Sequence, residues 1–147
     1  MMSGTESGYF LTEQGGEPTG EGRFVNLEAI EPLRFKEGLT FRPLLGDNVL
    51  VNHVSYEPNV EAPAHVHVEE QIVLVLEGEL RFWIAGLEPR TMRPGDMAVI
   101  PSWVEHRALS GPNGCRQLDV FQPPRMQLLA ALKAEPGERG APPSPPA

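Results

Sequence analysis

Cysteine, basic residues and long apolar runs are scarce in this chain of 147 residues, and each scarcity excludes something. A single Cys115 rules out an intrachain disulfide. Only 12 Lys and Arg stand against 20 Asp and Glu, so there is no basic stripe to neutralise phosphates. Neither nucleic acid nor an anionic membrane surface is an expected partner. No apolar run approaches the roughly 20 residues of a spanning helix. The first residues lack the basic and apolar regions of an export signal, so the expected location is cytoplasmic. The length fits one compact domain.

Glycine and proline are plentiful, at 15 and 16 residues, without a Gly-X-Y period. This composition argues for short strands joined by many turns, or for disordered ends, and against a helical bundle. Residues 1–22 carry six glycines, four glutamates and no Lys or Arg, a flexible N-terminal segment by composition. Residues 135–147 end in Pro142-Pro143-Ser144-Pro145-Pro146 and read as a disordered, polyproline-like tail. The folded part is expected over 23–134, where 14 acids and 11 bases leave only −3 of the chain's −8.

Within it, six segments are rich in Val, Ile, Leu and aromatics and bounded by turn residues: Asn48–Glu57, Gln71–Leu76, Glu79–Ala85, Asp96–Ile100, His106–Leu109 and Cys115–Phe121. Glu77-Gly78 and Gly111-Pro112-Asn113-Gly114 are among the expected turns. Leu33–Lys36 and Leu39–Leu45 add edge strands. Met126, Leu129 and Ala130 fall at helical spacing in Arg125–Ala134. The pattern predicts an all-β jelly-roll barrel with a short C-terminal helix.

The four histidines carry the chemistry. His65 and His67 stand at i, i+2, which on a strand directs both imidazoles to one face, with Gln71 at the same parity if the strand continues. His106 follows an Arg93-Pro94-Gly95-Asp96 turn and an apolar strand, and lies on a different strand that could cross opposite the first. Convergence of such side chains inside a barrel makes a metal site. His53 sits on a strand whose alternation does not reveal its inner face. Glu69 shares the parity of Gln71 and is the alternative ligand at that point of the chain, although the spacing favours Gln71; Glu70 has the opposite parity. Arg81 and Trp83 share an outer face with Phe82 and Ile84 inward, and Cys115 reads as a small buried hydrophobe.

Two stretches resemble the cupin superfamily: His65-Val66-His67, three residues, Gln71, six residues, Gly78; and Gly95-Asp96, four residues, Pro101, four residues, His106. Gln71 stands where most metal-binding cupins have Glu, Trp103 where Gly or Asn is common, and Ser110 at the usual closing Asn. Glu70-Gln71, Leu76-Glu77-Gly78-Glu79-Leu80 and Leu118-Asp119-Val120-Phe121-Gln122-Pro123-Pro124-Arg125 further resemble the pectin-degradation (KdgF-like) cupins. The resemblance implies one divalent transition metal (Zn, Ni, Mn or Fe) on His65, His67, His106 and Gln71. It implies catalytic roles for Asp119, Phe121 and Arg125, and a 4,5-unsaturated uronic acid as an anionic substrate that is linearised. A homodimer formed through N-terminal strands, in residues 23–45, is implied as well. Departures from the group are Val68 in place of Pro after His67, and Trp103, whose bulk is expected to narrow the pocket mouth.

Three imidazoles and a carboxamide leave a divalent ion its full +2, a stronger Lewis acid than one with a Glu ligand, which favours non-redox chemistry. Asp119 beside such a cation is expected to be ionised. The alternatives are a cupin dioxygenase or polyketide-type cyclase, and a non-catalytic metabolite-binding cupin; fold alone decides none of these.

Overall fold

Eight strands form among the residues described by the computed structural model, 8–10 and 15–132. They are β1 (Leu33–Lys36), β2 (Leu39–Leu45), β3 (Leu50–Tyr56), β4 (Glu61–His65), β5 (Glu70–Ile84), β6 (Arg90–Met92), β7 (Met97–Ile100) and β8 (His106–Gln122). Helix α1 (Met126–Leu132) follows. The Pro-rich tail and the last two residues of the expected helix lie outside the described residues. No described helix is long and apolar enough to cross a membrane.

All pairings are antiparallel, in the order β1-β2-β3-β8-β5-β6, with β4 on β8 and β7 on β5. The two long strands each serve two halves. Residues 115–121 of β8 pair with β3, whereas its residues 106–109 pair with β4. Likewise residues 71–74 of β5 pair with β7 and residues 80–82 with β6. Side chains from both halves, such as Val54 and Val73 from one and Phe82 and Ala108 from the other, share one core cluster. The sheet therefore folds back on itself, as the expected all-β jelly-roll barrel with a short C-terminal helix requires.

Two expected turns are instead corners within strands. Glu77-Gly78 and Gly111–Gly114 do not reverse the chain; β5 and β8 pass through them and are paired on either side, with register shifts at Val75/Glu77 and Gly78/Leu80. Gly78 has φ +75 and a Cβ there would stand 2.1 Å from the Gly114 carbonyl oxygen. Both the left-handed backbone and the close crossing demand glycine. Turn residues look alike in sequence whether the chain reverses or merely bends.

Two short strands were not expected. β4 contains Pro63 and only alanines as apolar residues, and β6 has three residues, so neither carries a strand-like pattern. Ser110 closes the β3–β4 connection: its Oγ donates to the Glu57 carbonyl at 2.6 Å and accepts from the Val60 N–H at 2.8 Å. Among the described side chains of α1, Leu128 is buried, packed with Leu33, Leu50 and Phe121, while Met126 and Ala130 are exposed. The helix thus docks through Leu128 and not through Met126 and Ala130.

Candidate metal centre

His65 closes β4, His67 lies in the four-residue link 66–69, and Gln71 is the second residue of β5. The expected single strand through all three does not form, but the tight link returns them to one space. His106 opens β8 and is the direct register partner of His65, a neighbour rather than a residue crossing from opposite. Ring centroids are 4.3 Å apart for His65–His106, 4.8 Å for His67–His106 and 5.4 Å for His65–His67.

Each imidazole is oriented in the same way. Nδ1 of His65 bonds the Pro63 carbonyl at 2.7 Å, that of His67 the Glu69 carbonyl at 2.9 Å, and that of His106 the Val104 carbonyl at 2.9 Å. A carbonyl only accepts, so Nδ1 carries the proton in all three and Nε2 offers a lone pair. One ring nitrogen from each lies within 4.8 Å of the others. The His106 Nε2 is buried without a hydrogen-bond partner, and the His67 Nε2 faces the Gln71 Oε1 at 3.1 Å. An orphaned lone pair and two acceptors in contact are costly alone and satisfied together by a cation, so these residues fit a divalent metal. Burial is the largest influence on all three pKa values and lowers each, His106 to about 4. The imidazoles are thereby neutral at physiological pH, as ligands must be.

A cavity of about 130 Å³ opens beside the cluster, lined by His65, His106, Gln71, Asp119, Phe121 and Arg125 among others. Asp119 and Phe121, two apart on β8, are buried on the inner face, and Arg125 reaches in from just before α1. Burial pushes the Asp119 carboxyl up to about 7, opposed by hydrogen bonds from Gln71 and Gln117 and by the Arg125 charge. The Gln117 amide donates to its Oδ1 at 2.8 Å. The ionised Asp119 expected from the sequence thus depends on a cation nearby, which would add a further downward pull.

Arg125 is more engaged than its sequence position indicates. Its Nη1 pairs with Glu69 Oε1 at 3.1 Å, with both side chains largely out of solvent, and its Nη2 donates to Gln127 at 3.2 Å. Glu69, considered from sequence as an alternative ligand, serves Arg125 instead. Glu70 is exposed. The guanidinium carbon stands 5.9 Å from the Phe121 ring centroid, and Phe121 meets the His67 ring edge-on at 5.7 Å.

Trp103 is 65 % exposed and does not line the cavity, so it does not narrow the mouth as expected. Its φ of +66 explains why Gly or Asn suits this position, and its N–H donates to the His67 carbonyl at 2.9 Å. His53 faces away from the cavity, where Arg116 contacts its Nε2 at 3.1–3.2 Å. Trp83 stacks under Arg107 at 3.8 Å. Cys115 is buried, its thiol pushed up to about 12 by burial, which makes it inert. Residues missed from sequence are Asn52, Tyr56 and Gln117, which also line the cavity. Gln117 shares the parity of Asp119 and was legible on that ground. Asn52 and Tyr56 required knowing the inner face of β3.

Residues 52–121 match the model of the cupin domain. Among solved structures, an RmlC-like cupin from Shewanella frigidimarina NCIMB 400 aligns with TM-score 0.68 and 25 % identity, over 74 % of this chain and 96 % of that one. KdgF from Halomonas sp. aligns with TM-score 0.69 and 22 % identity, over 74 % and 99 %. A mutant of the oxalate decarboxylase OxdC of Bacillus subtilis aligns with TM-score 0.61 and 19 % identity, over 73 % and 32 %. No curated protein matches the sequence.

Proposed function

From a chain that carries a cupin domain, we propose a metal-dependent enzyme that opens the ring of a small carboxylated sugar, a 4,5-unsaturated uronate. The observation that carries this reading is the meeting of three similarly oriented imidazoles and the Gln71 carboxamide with a buried Asp119 and a buried Arg125 around one cavity. His65, His67, His106 and Gln71 would hold a divalent metal, which supplies Lewis-acid polarisation and fixed positive charge. Uncharged ligands leave that charge undiminished, suited to an anionic substrate rather than to redox cycling.

The remaining steps belong to the chain. Arg125 binds the substrate carboxylate with the N–H groups not used by Glu69 and Gln127, and those two partners keep its fork in place. Phe121 packs against the sugar ring and excludes water. Asp119, buried and held by the Gln117 amide, takes the proton of the anomeric hydroxyl as the bond between C1 and the ring oxygen breaks to leave a C1 aldehyde, and returns it to C4 of the resulting enol, which becomes the C5 ketone.

Metal analysis of the purified protein, followed by a screen of unsaturated uronates by NMR, tests the proposal. A stoichiometric divalent metal and metal-dependent opening are expected. No turnover by the metal-replete protein, or oxygen uptake with a catechol or diketone, overturns it. Asp119→Asn should keep the metal and lose turnover; unchanged turnover removes Asp119 from the mechanism.

A further inference from the structure

On the side of Asp119 away from Phe121, the cavity wall carries polar groups that the fold leaves unsatisfied. Asn52 is 2 % exposed and its Oδ1 has no hydrogen-bond partner; Gln117 is equally buried and its Oε1 has none either. The Gln117 amide spends its N–H on Asp119 Oδ1 at 2.8 Å, which fixes the side chain and leaves its oxygen over. Tyr56 is buried too, and its hydroxyl makes no hydrogen bond among the described residues. Burial holds this phenol far above its usual range, so it stays a neutral group that both donates and accepts. All three side chains line the cavity. Register gathers them around Asp119: Asn52 is its direct partner on β3, Gln117 stands two residues along β8 opposite Val54, and Tyr56 is opposite Cys115. The core beside them holds Val54, Val73 and Val75, so apolar side chains would serve the packing equally well. A buried polar group without a partner costs about 1–3 kcal/mol, and such a group persists where something other than the fold satisfies it.

We propose that Asn52, Gln117 and Tyr56 form a hydroxyl-binding subsite that takes the vicinal C2–C3 diol of a uronate and so selects sugar acids over other small carboxylates. This rests on the proposed reading, in which Arg125 holds the carboxylate and Asp119 serves C1 and C4. In a pyranose ring C1 and C4 lie opposite each other, the C5 edge with its carboxylate stands to one side, and the C2–C3 edge stands to the other. The strand repeats that order. Phe121 with Arg125 beside it, then Asp119, then Gln117 succeed one another on the inner face of β8 at intervals of about 7 Å, and Asn52 flanks Asp119. A ring centred on Asp119 with its carboxylate toward Arg125 therefore presents its diol to the three unsatisfied groups. A diol both donates and accepts, which matches two amide oxygens and a phenol. A carboxylate without the diol leaves those groups unpaired, and the site rejects it on that ground.

Calorimetric titration of the metal-replete full chain with galacturonate, which lacks the 4,5 double bond, and with its 2-deoxy and 3-deoxy analogues tests the proposal. Loss of either hydroxyl should weaken binding to the wild type about tenfold. Asn52→Leu should weaken galacturonate about as much and erase the preference over at least one analogue. Its urea midpoint should equal or exceed that of the wild type, because the substitution removes an unsatisfied polar group; a purely structural Asn52 gives the opposite shift. Tyr56→Phe, which keeps the ring, gives the same binding readout if the first variant fails to fold. Equal wild-type affinity for all three sugars, no binding of galacturonate, or a preference that both folded variants retain overturns the subsite. Turnover of an unsaturated uronate, read separately, keeps the two conclusions apart. Turnover without hydroxyl preference overturns the subsite alone, and hydroxyl preference without turnover supports the subsite and overturns the reaction alone.

Discussion

Arg125 and Glu69 form an ion pair at 3.1 Å with side-chain exposures of 14 % and 10 %, tying the start of α1 to the link that carries His67. The same Glu69 accepts the His67 Nδ1–H on its backbone carbonyl. One residue thus fixes a cation of the cavity wall through its side chain and an imidazole through its main chain.

Glu69→Ala leaves a largely buried guanidinium without its carboxylate. The expected cost is about 3 kcal/mol, read as a lower midpoint in urea unfolding. Metal affinity should fall much less than for His67→Ala, because the backbone carbonyl that orients His67 survives the substitution.

The pH dependence of the metal-stripped protein should contain two opposed contributions. His106 titrates lower in the folded chain, at about 4, than its ordinary 6.5, so its contribution is present above 6.5 and is lost as pH falls toward 4. His65 and His67 are lowered too and act in the same sense. Asp119 is raised from 3.8 to about 7, so its contribution is present below 3.8 and is lost as pH rises toward 7. Asp119→Asn should therefore gain stability relative to wild type between pH 4 and 7, measured by denaturant titrations at both values. A constant difference across that window would contradict the argument.

Gly78→Ala places a methyl group against the Gly114 carbonyl at the corner shared by β5 and β8, in addition to straining a left-handed backbone. A loss of more than about 3 kcal/mol, or no soluble protein, is expected. Gly86→Ala is the control. Its φ is +86 but nothing lies within 4 Å, so only the conformational cost of roughly 1–2 kcal/mol applies. Equal effects at the two sites would show that the close crossing is unimportant.

Trp103→Asn keeps the backbone N–H that reaches the His67 carbonyl and substitutes a residue more tolerant of φ +66. Thermal unfolding should show equal or greater stability, and metal binding should be unchanged because the indole lies outside the cavity. A drop in metal affinity would give the indole a role that its position does not.

What the sequence determined by itself was the strand-rich class and the histidine set. Both rest on local signals: residue types suited to a pleated surface, turn residues between them, and two spaced groups of metal-binding side chains. The Gln117 neighbour of Asp119 was within reach of the same parity argument. Tertiary structure decided the rest, because the rest depends on which backbones meet. Gly78 and Gly111–Gly114 bend two long strands because β5 and β8 cross there, a contact between residues far apart in the chain. Glu69 pairs with Arg125 rather than competing with Gln71 because the link 66–69 and the start of α1 close over the same cavity wall. The inner face of β3, and with it Asn52 and Tyr56, was settled by pairing to β8, since both faces of that strand carry apolar residues. Local patterning selects the strands; long-range register selects the side of each strand that lines the cavity and the side left outside.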